Sequence, residues 1–165
     1  MGKIGKQRLS ALHKASLDDD RVWIPPALCD FGRLTGTEAH IECWFLMVVL
    51  GRYRIAPKAV ISAEETDTLE RISDLAETHD EVPGLLRIPK TSERSLLPIR
   101  IMSVEAELKD GGRRVKLPKE LKLLVPRNEN EDNFVFLVPV AGLIELWFPE
   151  TLERGLSVSI TEILY

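Results

Sequence analysis

An internal repeat constrains the fold of this chain more than any other feature of its sequence. Residues 21–28, RVWIPPAL, align with residues 114–121, RVKLPKEL, and the two segments share Arg, Val, Pro and Leu at matching positions. In each copy a polar stretch, an apolar strand, a glycine and a second strand follow in the same order, and a proline comes after the second strand. Similarity in order and spacing as well as in residue type indicates two copies of one structural unit.

The repeated unit has the pattern of a short strand, a single helical turn opened by proline, and a hairpin of two apolar strands. A unit of about 45 residues is too small to bury its own apolar strands. We therefore expect the two copies to pair with each other by interleaving their hairpins. The other apolar segments are short, rich in Val, Ile, Phe and Trp, and show no alternation of strands with helices. The predicted strands are 22–24, 41–50, 53–55, 99–108, 115–117, 134–140, 143–148 and 156–160.

One amphipathic helix is predicted in the segment between the two copies. Its N-cap is Ser62 or Thr66, and apolar residues follow at helical spacing from Leu69 onward. Carboxylates in its first turn oppose the positive end of the helix dipole. The acidic stretch 64–77 is either a solvated helix face or a surface for a protein partner, and the sequence leaves both interpretations open.

The net charge of −4 argues at first sight against a nucleic-acid partner, because phosphate binding depends on Lys and Arg. The charge is unevenly distributed, however. Residues 58–107 carry 6 basic and 11 acidic side chains, whereas residues 109–122 carry 6 basic and 2 acidic ones. A basic patch therefore lies inside an acidic protein. The chain divides into an N-terminal half-repeat at 1–57, an acidic helical connection with a lead-in strand at 58–107, and a C-terminal half-repeat at 108–165.

Several other classes are disfavoured. The longest apolar run, 41–50, is shorter than the ~20 residues of a membrane span, and the N-terminus lacks the apolar region of an export signal. We therefore expect a cytoplasmic protein with no membrane partner. Cys29 and Cys43 lack the spacing of a zinc site or disulfide framework, which predicts reduced, buried thiols. No nucleotide-binding or catalytic motif is present, so we predict neither an enzyme nor a cofactor, and a small β-barrel enzyme is only a remote alternative.

The second copy resembles a known family of DNA-binding domains. Residues 110–121, DGGRRVKLPKEL, followed by residues 142–147, GLIELW, are similar to the swapped-hairpin domain of the SpoVT/AbrB superfamily. Two copies in one chain resemble the MraZ arrangement, whose subunits assemble into rings. The resemblance covers 16–57 and 108–150, roughly half of the chain. It implies an α+β, mostly β fold, a tandem swapped-hairpin (AbrB-like) β-barrel, and a homo-oligomeric transcriptional regulator that binds double-stranded DNA, in the cytoplasm and at the nucleoid.

In that family a DxxxR motif precedes the short strand, and its arginine contributes to DNA contact. Asp110 and Arg114 fit this spacing, whereas the position four before Arg21 is Leu17. Because Asp18–Asp20 crowd beside Arg21 and would repel phosphate, the role of the first copy stays open. The predicted DNA-binding residues are Arg114, Arg113, Lys116, Lys109, Asp110 and Arg21.

Two glycines and three tryptophans complete these expectations. Gly111 and Gly112 allow a tight turn and a close approach of the backbone to phosphate. The tryptophans all fall in predicted strands, where burial between the repeats is expected; they are Trp23, Trp44 and Trp147. The alternative to DNA binding is a non-catalytic protein-interaction module, antitoxin-like or a degenerate AbrB fold, whose lysines form a solvated face.

Overall fold

The structure is a computed structural model that describes residues 13–75, 77–78, 86–87, 97–125 and 133–156. Its main strands are β1 His13–Asp18, β2 Arg21–Ile24, β3 His40–Val49, β4 Arg52–Pro57, β7 Leu97–Lys109, β8 Gly112–Lys116, β9 Phe134–Val140 and β10 Leu143–Trp147. They form one closed antiparallel barrel in the order β1-β2-β8-β7-β3-β4-β10-β9, and a separate two-stranded sheet joins β5 Glu77–Thr78 to β6 Leu86–Arg87. The predicted mostly β class is confirmed.

Four α-helices and one 3-10 turn accompany the strands in the described residues. They are α1 Pro26–Phe31, the 3-10 turn Lys58–Val60, α2 Ala63–Leu75, α3 Lys119–Lys122 and α4 Pro149–Leu156. The amphipathic helix predicted in the connection is α2. Its N-cap is Ser62 and not Thr66, because the Ser62 hydroxyl accepts a hydrogen bond of 3.1 Å from the Glu65 N–H.

β5, which contains Glu77 of the stretch 64–77 predicted as helical, and β6 were not predicted, and two further places differ from the predicted strands. β1 was not expected, because its sequence HKASLD is largely polar and only Ala15 is fully buried. The strand predicted at 156–160 is wrong at its first residue, since Leu156 ends helix α4; residues 157–160 lie outside the described part of the chain. At β1 the neighbouring strands β2 and β9 decide the conformation, and at Leu156 the preceding helix turns decide it. Local residue type does not decide it in either place.

The strand order gives each hairpin two neighbours from the other half of the chain. β1 pairs with β9 and β2 with β8, while β3 pairs with β7 and β4 with β10. Among the barrel strands, two strands of the same half pair only within their own hairpin. Because an unpaired strand edge leaves backbone N–H and C=O groups without partners, neither half completes its sheet without the other.

The pairing follows an approximate two-fold symmetry. Val22 pairs with Val115 in the β2–β8 seam, and Arg54 pairs with Glu145 in the β4–β10 seam. The members of each pair occupy equivalent positions in the repeat: Arg54 follows Gly51, and Glu145 follows Gly142, at the same interval. The interior of the barrel is filled from both halves by alternate residues of its strands. Its largest buried members include Ile24, Phe45, Tyr53, Ile55, Leu137, Ile144 and Leu146.

The outer sides of the two apolar hairpins are covered by the helices that follow them. Trp44 and Leu46 pack with Leu69 of α2, and Trp147 packs with Leu152 of α4. Trp44 and Trp147 are therefore buried as expected, but beneath helices and not between the repeats. Trp23 is 36% exposed, which corrects the expectation that it is buried. It differs because no helix of the described residues covers its strand, β2, on the outside.

Both cysteines are free and buried, as the sequence predicts. Burial raises the pKa of the Cys29 thiol, although a backbone hydrogen bond and the positive charge of Arg113 act in the opposite direction. Burial alone raises the pKa of the Cys43 thiol to about 12. Since the thiolate is the reactive form of cysteine, both side chains serve as small apolar groups of the core.

A buried carboxylate lies at the centre of the β4–β10 seam. The side chain of Glu145 is 0% exposed, and its Oε1 accepts hydrogen bonds from Arg52 Nη2 at 2.7 Å and Trp147 Nε1 at 2.8 Å. Its Oε2 accepts one from Arg54 Nε at 2.7 Å. Burial raises the pKa of Glu145, but the three donors and the Arg52 charge together outweigh it and hold this pKa below the ordinary value of 4.5.

Replacing Glu145 tests this assignment through pH. Glu145→Gln leaves two arginines without their carboxylate, so we expect a loss of about 3 kcal/mol in the free energy of unfolding at pH 7. A depressed folded-state pKa stabilises the protein above the unfolded value and loses its effect as the pH falls through the folded value. The difference between wild type and variant, measured by urea unfolding, should therefore shrink below about pH 4.

The matched control is Glu42→Gln. Glu42 is 60% exposed and lies 3.6 Å from Lys58 Nζ, and a surface pair of this kind contributes less than about 1 kcal/mol. We expect Glu42→Gln to change the unfolding free energy little at either pH. A Glu145→Gln difference that is the same at pH 7 and pH 3 would contradict the ion-pair explanation.

Candidate functional site

The strands β1, β2, β8 and β7 form a continuous part of the barrel whose outward side chains are mostly charged; we call this surface the outer face. Burial alternates along β2 and β8, so that every second side chain points outward. Five of the outward residues are basic and three are acidic, which gives the outer face a positive formal charge. They are Lys14, Ser16, Asp18, Arg21, Trp23, Glu105, Glu107, Lys109, Arg114 and Lys116.

The central seam of the outer face brings the two repeat-equivalent arginines together. In the β2–β8 register Arg21 is opposite Lys116, and Trp23 is opposite Arg114. Arg21 and Arg114 are therefore diagonal neighbours on one surface, a relation that separates residues by about 7–8 Å. Their side chains are 30% and 26% exposed. The structure thus places three predicted site residues, Arg21, Arg114 and Lys116, side by side.

Each of these arginines is held by a carboxylate from the other half of the chain. Arg21 Nη2 donates a hydrogen bond of 2.9 Å to Glu105 Oε2, and Arg114 Nη2 donates one to Asp18 Oδ2. Arg21 thus reaches from β2 across β8 to β7, and Arg114 reaches from β8 across β2 to β1. Because Glu105 and Asp18 are 44% and 79% exposed, each pair contributes at most about 1 kcal/mol.

The run Asp18–Asp20 is distributed among three basic side chains. Asp18 pairs with Arg114, while Asp19 Oδ1 lies 3.7 Å from Lys122 Nζ. Asp18 is also directly opposite Arg21 in the β1–β2 register, and Asp20 Oδ1 lies 4.0 Å from Arg21 Nε. Two of the three carboxylates that the sequence places around Arg21 therefore lie beside it, whereas Asp19 is paired with Lys122.

Arg113 is not part of the outer face, which corrects the prediction that it contacts DNA. Its side chain is 1% exposed, because it is the strand neighbour of Arg114 and points to the opposite side of β8. Among the described residues the guanidinium donates only to backbone carbonyl oxygens, and it ties the loop after α1 to the second hairpin. The acceptors are Leu34, Thr35, Gly36, Glu38 and Ala106.

The turn of the β7–β8 hairpin carries two further predicted residues, Lys109 and Asp110. Asp110 and Gly111 have φ of 51° and 82°, the left-handed pair of a two-residue hairpin turn. Trp23 Nε1 donates a hydrogen bond of 2.8 Å to the Lys109 carbonyl and fastens this turn to β2. A Cβ on Gly112 would clash with the Ile24 carbonyl oxygen. Gly112 is therefore needed for contact with β2, and the expected approach to phosphate does not explain it.

A shallow groove of about 280 Å³ collects most of these groups on the outer face. Four of the six predicted residues line it, and Lys116 is exposed on the same face. The sequence interpretation missed three lining residues and the carboxylate Glu105. Alternation of apolar and polar residues in RVWI would have placed Trp23 outside, whereas the partners of the arginines could be found only from the strand order. The groove is lined by Ser16, Asp18, Arg21, Trp23, Lys109, Asp110 and Arg114.

In the described ranges, no group of three or more His, Cys, Asp or Glu side chains is placed to hold a metal ion. No helix in the same ranges is long and apolar enough to cross a bilayer. A larger groove of about 970 Å³ lies between the loop after α1 and the 3-10 turn. Its lining mixes both charge signs and contains none of the predicted site residues.

The structural role of Arg113 can be tested by a conservative change. Arg113→Lys keeps the charge but has fewer donors and no planar fork, so several buried carbonyls lose their partner. We expect the free energy of unfolding in urea to fall by about 3 kcal/mol. Arg114→Lys on the exposed side of the same strand should cost less than about 1 kcal/mol. Equal losses in the two variants would show that Arg113 has no special structural role.

The contact of Gly112 with β2 gives a second test. Gly112→Ala forces the new methyl group against backbone that cannot move without breaking the β2–β8 seam, and we expect a loss of about 3 kcal/mol in urea unfolding. The control is Gly142→Ala, where φ is +80° and, apart from its chain neighbours, no atom of the described residues lies within 4 Å of the added Cβ. That variant should lose only about 1 kcal/mol in the free energy of unfolding, because its Cβ strains the backbone at a positive φ. A loss no larger than the control would contradict the steric explanation.

No protein-family model matches the chain, and comparison with curated proteins and with solved structures gives no match either. Function is therefore inferred from the outer face and from the strand pairing that forms it.

Proposed function

We propose that the chain is a DNA-binding transcriptional regulator of the AbrB/MraZ type, which binds double-stranded promoter DNA through the outer face. The observation that carries this proposal is the position of Arg21 and Arg114. These two repeat-equivalent arginines are diagonal neighbours on an outward surface with more basic than acidic side chains. The alternation of hairpins from the two halves around the barrel supports a tandem swapped-hairpin arrangement.

The chemistry of the outer face suits a nucleic acid. Guanidinium groups bind phosphates and guanine edges with two parallel hydrogen bonds, and ammonium groups such as that of Lys116 add charge near the backbone. The arginines are engaged by surface ion pairs that contribute little energy, so a phosphate can take the place of each carboxylate. Trp23 offers an exposed aromatic surface beside them. A two-stranded ribbon is also narrow enough to enter the major groove.

Regulation in this proposal is steric: bound protein occupies a promoter and needs neither catalysis nor a cofactor. One barrel presents a small basic surface, so affinity would depend on several copies acting together, as in a homo-oligomer. The expected location is the cytoplasm, at the nucleoid. Arg113, Gly112 and the Trp23–Lys109 hydrogen bond would act indirectly, by holding the β7–β8 hairpin in place.

A second candidate function follows from the same ion pairs. Because Asp18 and Glu105 neutralise both arginines, the barrel also suits a non-catalytic protein-interaction module that does not bind DNA. Helix α2 would then be the partner surface, since its exposed side chains are mostly acidic. They are Glu64, Asp67, Glu70, Arg71 and Asp74. This candidate predicts capture of a basic protein partner and no retention of DNA.

Arg114→Ala separates the two candidates. We expect wild type to bind duplex DNA with an affinity that falls steeply between about 50 and 200 mM salt. Loss of one guanidinium should weaken binding about 10-fold or more and reduce the salt slope by about 1. Fluorescence anisotropy with labelled promoter fragments measures both quantities, and circular dichroism verifies that the variant is folded.

The matched control for this experiment is Arg71→Ala, which removes the same charge from an exposed position on α2. It should bind DNA almost as wild type does. An equal loss in both variants would point to total charge and away from the outer face. Absence of any DNA binding by wild type at low salt would replace the regulator with the interaction module.

A further inference from the structure

The carboxylates that hold Arg21 and Arg114 have a function of their own. We propose that Asp18 and Glu105 are counter-ligands, side chains that compete with phosphate for the two arginines and so limit the binding of nonspecific polyanions. This inference rests on the proposed function and adds to it a determinant of selectivity. It assigns a role to two residues that are acidic and yet lie in the middle of a basic surface.

The first step of the argument is geometric. Each carboxylate accepts a hydrogen bond from a terminal guanidinium nitrogen, Nη2, of its arginine. A phosphate would use the same planar set of N–H donors, because carboxylate and phosphate oxygens both accept hydrogen bonds from a guanidinium. Both carboxylates come from outer strands of the face, β1 and β7, so that each arginine is held across one intervening strand. Asp18 therefore occupies one N–H of Arg114 Nη2 and places a negative charge beside the remaining donors, so a phosphate has to compete with it for this guanidinium.

The second step concerns cost. Asp18 is 79% exposed and Glu105 is 44% exposed, so both side chains are well hydrated and can leave the arginines without burial of charge. The contact is thus exchangeable, unlike the Glu145 pair, whose carboxylate is completely buried. Exchange still costs a small factor in affinity, and the departing carboxylate remains close enough to repel phosphate.

The third step is selectivity. A nonspecific duplex offers only phosphates in return for displacing Asp18 and Glu105. A specific site also offers base edges: guanine accepts two hydrogen bonds from an arginine, and cytosine N4 donates to a carboxylate. The displaced carboxylates then gain new partners instead of remaining unpaired. The same two residues should therefore weaken nonspecific binding more than specific binding.

The chain offers a matched control in Asp110. Asp110 lines the same groove as Asp18, and in the described part of the chain it makes no ion pair with Arg114. Asp18→Asn and Glu105→Gln each remove one negative charge from the outer face, and Asp110→Asn removes one from the adjoining β7–β8 turn. Only the first two remove a carboxylate that accepts a hydrogen bond from Arg114 or Arg21. Asp18→Ser is a second variant at the same position. The amide oxygen of the asparagine variant could still accept a hydrogen bond from Arg114 where the carboxylate did, whereas the shorter serine side chain has no oxygen at that place.

Two probes measure the effect: a duplex of random sequence, by fluorescence anisotropy, and immobilised heparin, by the salt concentration at elution. We expect Asp18→Asn, Asp18→Ser and Glu105→Gln to bind the random duplex about 2- to 5-fold more tightly than Asp110→Asn, the factor that corresponds to one surface ion pair. They should also leave heparin at higher salt than Asp110→Asn. The ratio of affinities for a selected sequence and for the random duplex should fall.

The outcomes separate this inference from the proposed function. Gains no larger than that of Asp110→Asn on either probe would overturn the counter-ligand role and leave DNA binding by wild type intact. If neither wild type nor any variant binds duplex DNA, the proposed function fails, and heparin still decides whether the carboxylates compete with a polyanion. Later elution of the Asp18 and Glu105 variants than of the control would then support the competition at the arginines, and equal elution would refute it.

Discussion

The structure depends on the exchange of strand edges between the two halves of the chain. Every hairpin of one half lies between two hairpins of the other, so each seam that closes the barrel joins distant parts of the sequence. A half-repeat alone would expose four strand edges and most of an apolar interior. Closure satisfies these backbone groups and buries the inward side chains in one step. The outer face exists only because β2 and β8 meet in this closure.

Two buried charged groups restrict how the halves can pair. Glu145 receives hydrogen bonds from Arg52 and Arg54 across the β4–β10 seam. The Arg113 guanidinium donates five hydrogen bonds to backbone carbonyl oxygens. Four of these oxygens belong to a loop of the first half, and one belongs to β7. A buried charge that loses its partners is strongly destabilising. A shift of register by even one residue would separate these groups. They therefore specify the observed strand register in addition to stabilising the barrel.

The candidate site was partly predictable from the sequence, and the errors in its prediction have a common cause. Repeat alignment identified Arg21 and Arg114 as equivalent, and the local charge of the second copy identified its basic side chains. Arg113 was misassigned because adjacent strand residues face opposite sides, and a pair of neighbouring arginines does not reveal which one points inward. The specific pairs Arg114–Asp18 and Arg21–Glu105 were not predicted, because their members lie 96 and 84 residues apart in the chain. Charge counting within a segment cannot detect such contacts.

The sequence by itself determined the elements whose formation depends on near neighbours. Apolar runs bounded by glycine and proline specified most strands, and Ser62 with the acidic residues after it specified helix α2. The repeat also indicated that two copies would share one core. Only the tertiary structure decided which strands meet, which face Arg113 occupies, and which carboxylate holds each arginine. The physical reason is that strand pairing is a long-range interaction: Arg52 and Glu145 are 93 residues apart, and hydrogen bonds between backbones carry no signature in local residue type.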